Sequence, residues 1–303
     1  MLHEQSRAYK NQDSTRKKQK ALPMSVLRKM EEMAKSPWQI ATVWLLIGAI
    51  FFAMRSCEYL STNTPEQDRR TKILRLRNII FRKDGITIPH SSEQLEQSDI
   101  VMIIFEYQKN DKRDVQIHMF RTSDEVLNPV VAWAKTVKRV WSYPGATDDY
   151  KVCNFIDNKD TLRVIHAPHV RDWLKATVTL IGDHILGFGA DDIGLHSIRS
   201  GGAMAMFLSK TSVIIIMRVG RWSSEAFLEY IREQIQDFTV GISENMIHFE
   251  SFFNMNRNTD TKRPTKTSDN NENGPKTVAV QIEFSELALT NSNGRKFGNL
   301  RHA

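Results

Sequence analysis

The chain has little of what holds small secreted proteins or metal-stapled domains together. Two cysteines, Cys57 and Cys153, occur in 303 residues. Each sits beside apolar neighbours, so a disulfide framework is excluded and a reducing compartment is the expectation. No CxxC pair or zinc-ligand spacing is present, and no metal or cofactor site is expected. His166-Ala167-Pro168-His169 is expected to be a loop, because a proline inside a helix would stop it presenting both imidazoles. The N-terminus lacks an apolar run ahead of a cleavage site, so no secretory signal is expected. Long hydrophobic runs are also scarce. The one candidate, Trp38 to Met54, is interrupted by Gln39 and Thr42 and followed at once by Arg55 and Glu58. A membrane span needs roughly 20 apolar residues. The expectation is therefore a helix buried on all sides, running on to about Leu60, with no membrane partner.

Positive charge is what the chain has in excess: 42 Lys and Arg against 35 Asp and Glu, a net +7 and a pI near 9.3. That favours an anionic partner such as nucleic acid, although a solvated basic surface is the commoner source of such a charge. The length prior suggests about two domains, but both ends are too polar to form a core. Residues 1–20 end in Arg16-Lys17-Lys18-Gln19-Lys20 and are expected to form either a basic arm or the remnant of an upstream domain. Residues 21–254 form one sizeable domain. Residues 255–303 form a mostly disordered tail, since its start is rich in Asn, Thr, Asp, Lys and Pro. VAVQIEFSEL, within that tail, alternates like a late strand or a partner-binding segment.

Periodicity sets the element order. Pro23-Met24-Ser25 opens a first helix, with Ser25 as its cap and Val26, Met30 and Met33 recurring at helical spacing. From Lys72 to Arg121 the pattern changes to short alternating runs: ILRLRNIIF, GITIP, and a hairpin of DIVMIIFEYQ and RDVQIHMFR about Lys109-Asn110-Asp111-Lys112. Asn128 caps a helix with Pro129 at its first position. Residues 142–170 read as irregular, and a helix is expected from Val170 to Leu186. A turn at Asp191 or Asp192 precedes a helix at His196. Ser212 to Gly220 reads as a buried helix, and Ser224 to Gln236 as another carrying Tyr230. The fold class is mainly α with a small antiparallel sheet.

Chemistry concentrates in the second half, in His196-Ser197-Ile198-Arg199, Gly220-Arg221-Trp222 and Tyr230. Residues three apart share a helical face, so His196 and Arg199 can reach one anion. A guanidinium fork fits phosphate oxygens, and a phenol can attack phosphorus. Metal-free phosphodiester cleavage would also need a second cation and an acid for the departing oxygen. Arg55 is a candidate for the first role, and Lys109, with Lys112 as the alternative, for the second. Gly201 and Gly202 follow the His196 turn, either to admit nucleic acid or to pack helices closely.

Together these residues resemble the catalytic domain of the tyrosine recombinase (phage integrase) superfamily. That family's order is Arg, hairpin Lys, His-x-x-Arg, His or Trp, and Tyr. AMRSCEYL supplies Arg55, FEYQKNDKRD Lys109, GLHSIRSGGA His196 and Arg199, MRVGRW Trp222, and FLEYIR Tyr230. The phrasing of HSIRSGGA and of GRWSS before FLEYIR looks most like recombinases of eukaryotic Crypton or DIRS mobile elements. Arg221 competes with Trp222, because the family spacing to the tyrosine is often one residue longer. The resemblance implies attack by Tyr230, a 3′-phosphotyrosyl bond and a free 5′ hydroxyl. Arg55 and Arg199 would clamp the phosphate, His196 and Trp222 would support it, and Lys109 would serve as the acid. It also implies double-stranded DNA as partner, self-association on DNA, no cofactor and no small-molecule substrate. The expected location is the nucleus in a eukaryotic host and the cytoplasm otherwise. A DNA-binding protein that retains the fold without cleaving is the alternative.

Overall fold

The computed structural model describes residues 19–65, 68–108 and 113–223. Lys109, Lys112, Tyr230 and the tail segments discussed above lie outside these residues. The described part is α-rich with a small antiparallel sheet.

The centre is a helix that the sequence makes apolar on every side. α1 (Met24–Met33) leads to α2 (Pro37–Phe51), and in α2 every residue from Ala41 to Ile50 except Trp44 is buried. Gln39 does not weaken α2. Its backbone N–H donates to Ser36 Oγ at 3.2 Å, while its own carboxamide accepts from the Ser36 N–H at 3.0 Å. This capping box satisfies donors that the first turn would otherwise leave open. At about 1.5 Å per residue α2 is roughly 22 Å long, short of the roughly 30 Å hydrocarbon layer. No described helix is long and apolar enough to cross a membrane.

α2 ends at Phe51 rather than continuing to Leu60. The chain turns at Phe52 to Arg55, with Ala53 at φ 43°, before the short α3 (Ser56–Tyr59). α1 also starts two residues earlier than a Ser25 cap implies: it begins at Met24, Pro23 holds the cap position without a side-chain bond, and Ser25 lies inside the first turn. A sheet follows, with β1 (Ile79–Lys83), β2 (Ile86–Ile88), β3 (Ile100–Phe105) and β4 (Val115–Phe120) in the order β2-β1-β3-β4, all antiparallel. Its register pairs Phe81 with Val101 and Ile103 with Ile117, so one face presents buried Ile79, Phe81, Val101, Ile103 and Phe105 to the core. The Ile73-to-Arg77 part of the expected first strand is irregular, with Leu76–Asn78 forming a single 3₁₀ turn.

α4 (Pro129–Trp141) lies between the sheet and α2. Its cap is as expected: Asn128 Oδ1 accepts from Val130 and Val131 at 3.1 and 3.2 Å. The segment expected to be irregular holds a small hairpin, β5 (Asn154–Ile156) with β6 (Leu162–Val164). Asp157 Oδ1 closes its turn by accepting from Lys159 and Thr161. α5 (Ala167–Ile181) then begins three residues before the expected start. Pro168 sits in its first turn, where a missing N–H costs nothing. The His166 and His169 rings therefore meet edge to face at the helix start, 6.1 Å between centroids, instead of on a loop. The expected helix is also broken, since Gly182 separates α5 from α6 (Asp183–Leu186).

α7 (His196–Leu208) crosses the end of α2. A Cβ on Gly201 would fall on the Leu22 carbonyl oxygen, and one on Gly202 on the Ile50 carbonyl oxygen. The glycine pair thus serves close helix packing. α8 (Val213–Gly220) differs from expectation in its exposure: Ile214 is 77% exposed, and only Ile216 and Gly220 are buried.

Candidate active site

The site is built where three chain segments meet: the turn after α2, the first turn of α7 and the end of α8. α7 is pinned at its start because Ser197 Oγ accepts from the Gly194 N–H at 3.0 Å and Ser200 Oγ donates to the His196 carbonyl at 3.2 Å. His196 and Arg199 therefore leave the same side of that turn. Burial lowers the proton affinity of His196, and the positive charges of Arg199 and Arg55 lower it further. Near neutral pH the imidazole is uncharged, able to donate from one nitrogen and accept at the other.

Arg199 is 2% exposed. Its guanidinium donates to the Ala53 carbonyl and, at 2.5 Å, to the Gly220 carbonyl, so one side chain ties the α2 turn to the end of α8. Trp222 covers it, with the ring centroid 4.3 Å from Arg199 Cζ. That stacking depends on how α8 ends. Arg221 takes a left-handed conformation at φ 58°, and the Trp222 N–H returns to the Met217 carbonyl at 2.9 Å. This is a helix terminus of the left-handed kind. It folds the indole back over Gly220, where any Cβ would occupy the space of the ring.

Arg55 precedes α3, at the end of the α2 turn, and its side chain is 22% exposed. Glu58 holds it twice: Oε2 accepts from the Arg55 backbone N–H at 2.8 Å, and Oε1 pairs with the guanidinium at 3.0 Å. The same carboxylate pairs with Arg221 at 2.7 Å, both side chains being 1% exposed. Glu58 is the residue the sequence reading missed. Its signal was present in the spacing Arg-x-x-Glu, which at i, i+3 places a carboxylate beside the arginine. The apolar surroundings that bury it come from distant segments.

The structure thus brings together Arg55, His196, Arg199 and Trp222, which the sequence spreads over most of the described chain. Between the two residues competing for one position, it sets Trp222 against Arg199 and turns Arg221 inward onto Glu58. Two other groups are removed from consideration as nucleophiles. Burial pushes the Cys57 thiol up, with Glu58 adding to the effect. Tyr59 is fully buried, its hydroxyl has no hydrogen-bond partner among the described residues, and burial raises its pKa far above the ordinary phenol value. Among the described residues, no group of three or more His, Cys, Asp or Glu side chains is placed to hold a metal ion.

Arg55, Arg199, Arg221 and Glu58 carry a formal excess of positive charge in a largely water-excluded site. Such an excess is stabilised by an anion, and guanidiniums favour one with several oxygens.

No protein-family model matches the sequence, and no curated protein matches it. Among solved structures, the chain is similar to the XerH site-specific recombinase bound to difH substrate in a pre-cleavage complex, with 15% identity, TM-score 0.42, and coverage of 72% of this chain and 52% of that one. XerH in a post-cleavage complex with palindromic difH gives 14% identity, TM-score 0.46, and coverage of 77% and 56%. The Tn1549 transposon integrase in complex with transposon right end DNA gives 9% identity, TM-score 0.41, and coverage of 76% and 68%. The chain spans about half the length of the XerH chains it matches.

Proposed function

We propose that residues 21–254 form the catalytic domain of a DNA strand transferase of the tyrosine recombinase kind, with Tyr230 as nucleophile and Lys109 as general acid. The observation that carries this reading is the convergence of Arg55, His196, Arg199 and Trp222 at one positively charged site. In this reading the Tyr230 phenol gives up its proton to water, the phenolate oxygen attacks a DNA phosphorus, and the bond from phosphorus to the 5′ oxygen breaks. Lys109 gives that leaving oxygen its proton, and the 3′ phosphate stays on the tyrosine. The free 5′ hydroxyl of an exchanged strand later reverses the chemistry, so bond energy is conserved. Arg55 and Arg199 stabilise the charge that develops on the nonbridging oxygens. Uncharged His196 supports a phosphate oxygen as donor without adding a full charge beside two guanidiniums. Trp222 keeps water from Arg199 and strengthens its field.

The same proposal extends to duplex DNA as substrate, self-association on that DNA, an origin in a mobile element of Crypton or DIRS type, and nuclear action in a eukaryotic host. The residues on either side serve as a basic arm (1–20) and a C-terminal tail (255–303).

The test is a nicked duplex that traps the covalent intermediate, drawn from the DNA flanking the gene. A protein–DNA adduct that disappears in Tyr230→Phe supports the reading. Salt-sensitive DNA binding with no adduct on any flanking duplex overturns it in favour of a binding protein. One observation favours that second reading: the Arg199 guanidinium is bonded to two backbone carbonyls and covered by Trp222.

A further inference from the structure

The proposed chemistry uses Arg55, His196, Arg199 and Trp222, and leaves one buried charge unexplained. Arg221 donates to Glu58 Oε2 at 2.7 Å, to the Phe52 carbonyl at 3.1 Å and to the Val219 carbonyl at 2.9 Å. Its guanidinium carbon lies 3.7 Å from the centroid of the Phe105 ring. A guanidinium so engaged is not placed to receive a phosphate.

What these bonds join is informative. Phe52 belongs to the turn that leads into Arg55, and Glu58 holds Arg55 by both its backbone and its guanidinium. Val219 lies at the end of α8, just before Trp222 and the stretch carrying Tyr230. Phe105 ends β3, four residues before Lys109. The site segments that the sequence separates most widely therefore meet at one guanidinium.

We infer that Arg221 is a positioning residue of the cleavage site: through Glu58 it sets the orientation of Arg55, and it fixes that arginine relative to the strands and helix leading to Lys109 and Tyr230. This rests on the phosphate-binding part of the strand-transfer reading. The choice of residue fits the role. Only a planar fork of five donors reaches a carboxylate and two carbonyls at once, whereas a lysine presents a single nitrogen. A buried ion pair is commonly no more stabilising than an apolar replacement, so its presence here points to geometry. The backbone agrees, because Arg221 occupies a left-handed position that usually falls to glycine.

The experiment is a double-mutant cycle on DNA affinity, using the full chain, a generic duplex and low salt. Arg55→Ala alone is expected to weaken binding about tenfold, the loss of a charge-assisted phosphate contact. In an Arg221→Lys background, which keeps the charge and loses the fork, the same change is expected to cost less than about twofold. Glu58→Gln is expected to give the same uncoupling. To guard against loss of fold in a single variant, the pair Arg221→Met with Glu58→Leu is measured too; it removes both charges together and is expected to show the same small Arg55 factor. A merely structural role would lower the melting temperature and scale all affinities by the folded fraction, leaving the Arg55 factor at about tenfold in every background. That result overturns the inference. The cycle needs no cleavage, so a wild-type chain that binds DNA but forms no adduct refutes strand transfer while the Arg55 factors still decide positioning. A chain without affinity for duplex DNA overturns both.

Discussion

Replacing Gly202 by alanine separates two explanations of the Gly201-Gly202 pair by sign as well as size. Alanine in a helix interior is favoured over glycine by about 1 kcal/mol, so an unobstructed site would gain stability. Here the added methyl would meet the Ile50 carbonyl oxygen about 1 Å inside van der Waals contact, with the Ala53 Cα a further 3.4 Å neighbour. The obstacle is the backbone of α2 and its turn, which cannot rotate away as a side chain would. Overpacking of this kind costs about 1–3 kcal/mol, and a rigid obstacle calls for the upper end. The net expectation is a loss of about 2 kcal/mol. At an m-value of about 2–3 kcal/mol/M the urea midpoint falls by roughly 0.7–1 M, read by tryptophan fluorescence.

Gly201→Ala meets the Leu22 carbonyl of an extended segment instead. That segment yields more easily, so the expected loss is about 1 kcal/mol. The displaced carbonyls in the Gly202 variant adjoin those of Phe52 and Ala53, which receive the Arg221 and Arg199 guanidiniums. DNA affinity is therefore expected to fall together with stability. If the glycines exist to admit nucleic acid, binding weakens while the urea midpoint stays put or rises. That outcome refutes the packing argument.

Glu58→Ala strands the Arg221 charge and removes the acceptor of the Arg55 N–H, at an expected cost of about 3–5 kcal/mol. Urea midpoints check this, and Arg221→Met combined with Glu58→Leu is expected to recover most of the loss. His196 gives a pH dependence. Its folded proton affinity is depressed below the ordinary 6.5, first by burial and then by Arg199 and Arg55. Between the depressed value and 6.5 the unfolded chain binds a proton that the folded chain refuses. Stability is thus full above that window and falls as pH drops through it. Unfolding midpoints from about pH 5 to 8 should show that slope, and His196→Asn should remove it; a slope unchanged in the variant assigns it elsewhere. Asn128→Ala removes the acceptor for two N–H groups of α4 and should cost about 1–2 kcal/mol, read from thermal unfolding.

How far the fold could be read from the sequence depended on whether the signal was local. α2 was legible because its residues are apolar on every face, and α4 because Asn128 and Pro129 stand side by side at its start. The β5–β6 hairpin was not, since its strands are three residues each and half exposed, leaving no alternation to detect. Its determinant is the Asp157 turn, visible only once the backbone donors are in place. The break after Phe51 was hidden for the opposite reason. Apolar residues continue through Met54, but the chain leaves the helix after Phe51, and the carbonyls of Phe52 and Ala53 are taken up by two arginines from distant segments.

Those arginines show why candidate residues were easier to pick out than their environments. Arg55, Arg199 and Arg221 are one residue type, and the sequence offers each as a phosphate ligand. Environment separates them. Arg55 keeps part of its side chain in solvent and is paired with Glu58. Arg199 lies under Trp222 and bonds inward to two carbonyls, so its positive field reaches the site more readily than its hydrogens do. Arg221 bonds wholly within the protein through the contacts described, and its charge is answered by the carboxylate that orients Arg55. Burial, which no local pattern encodes for a charged residue, sets three side chains of one chemistry in three different environments.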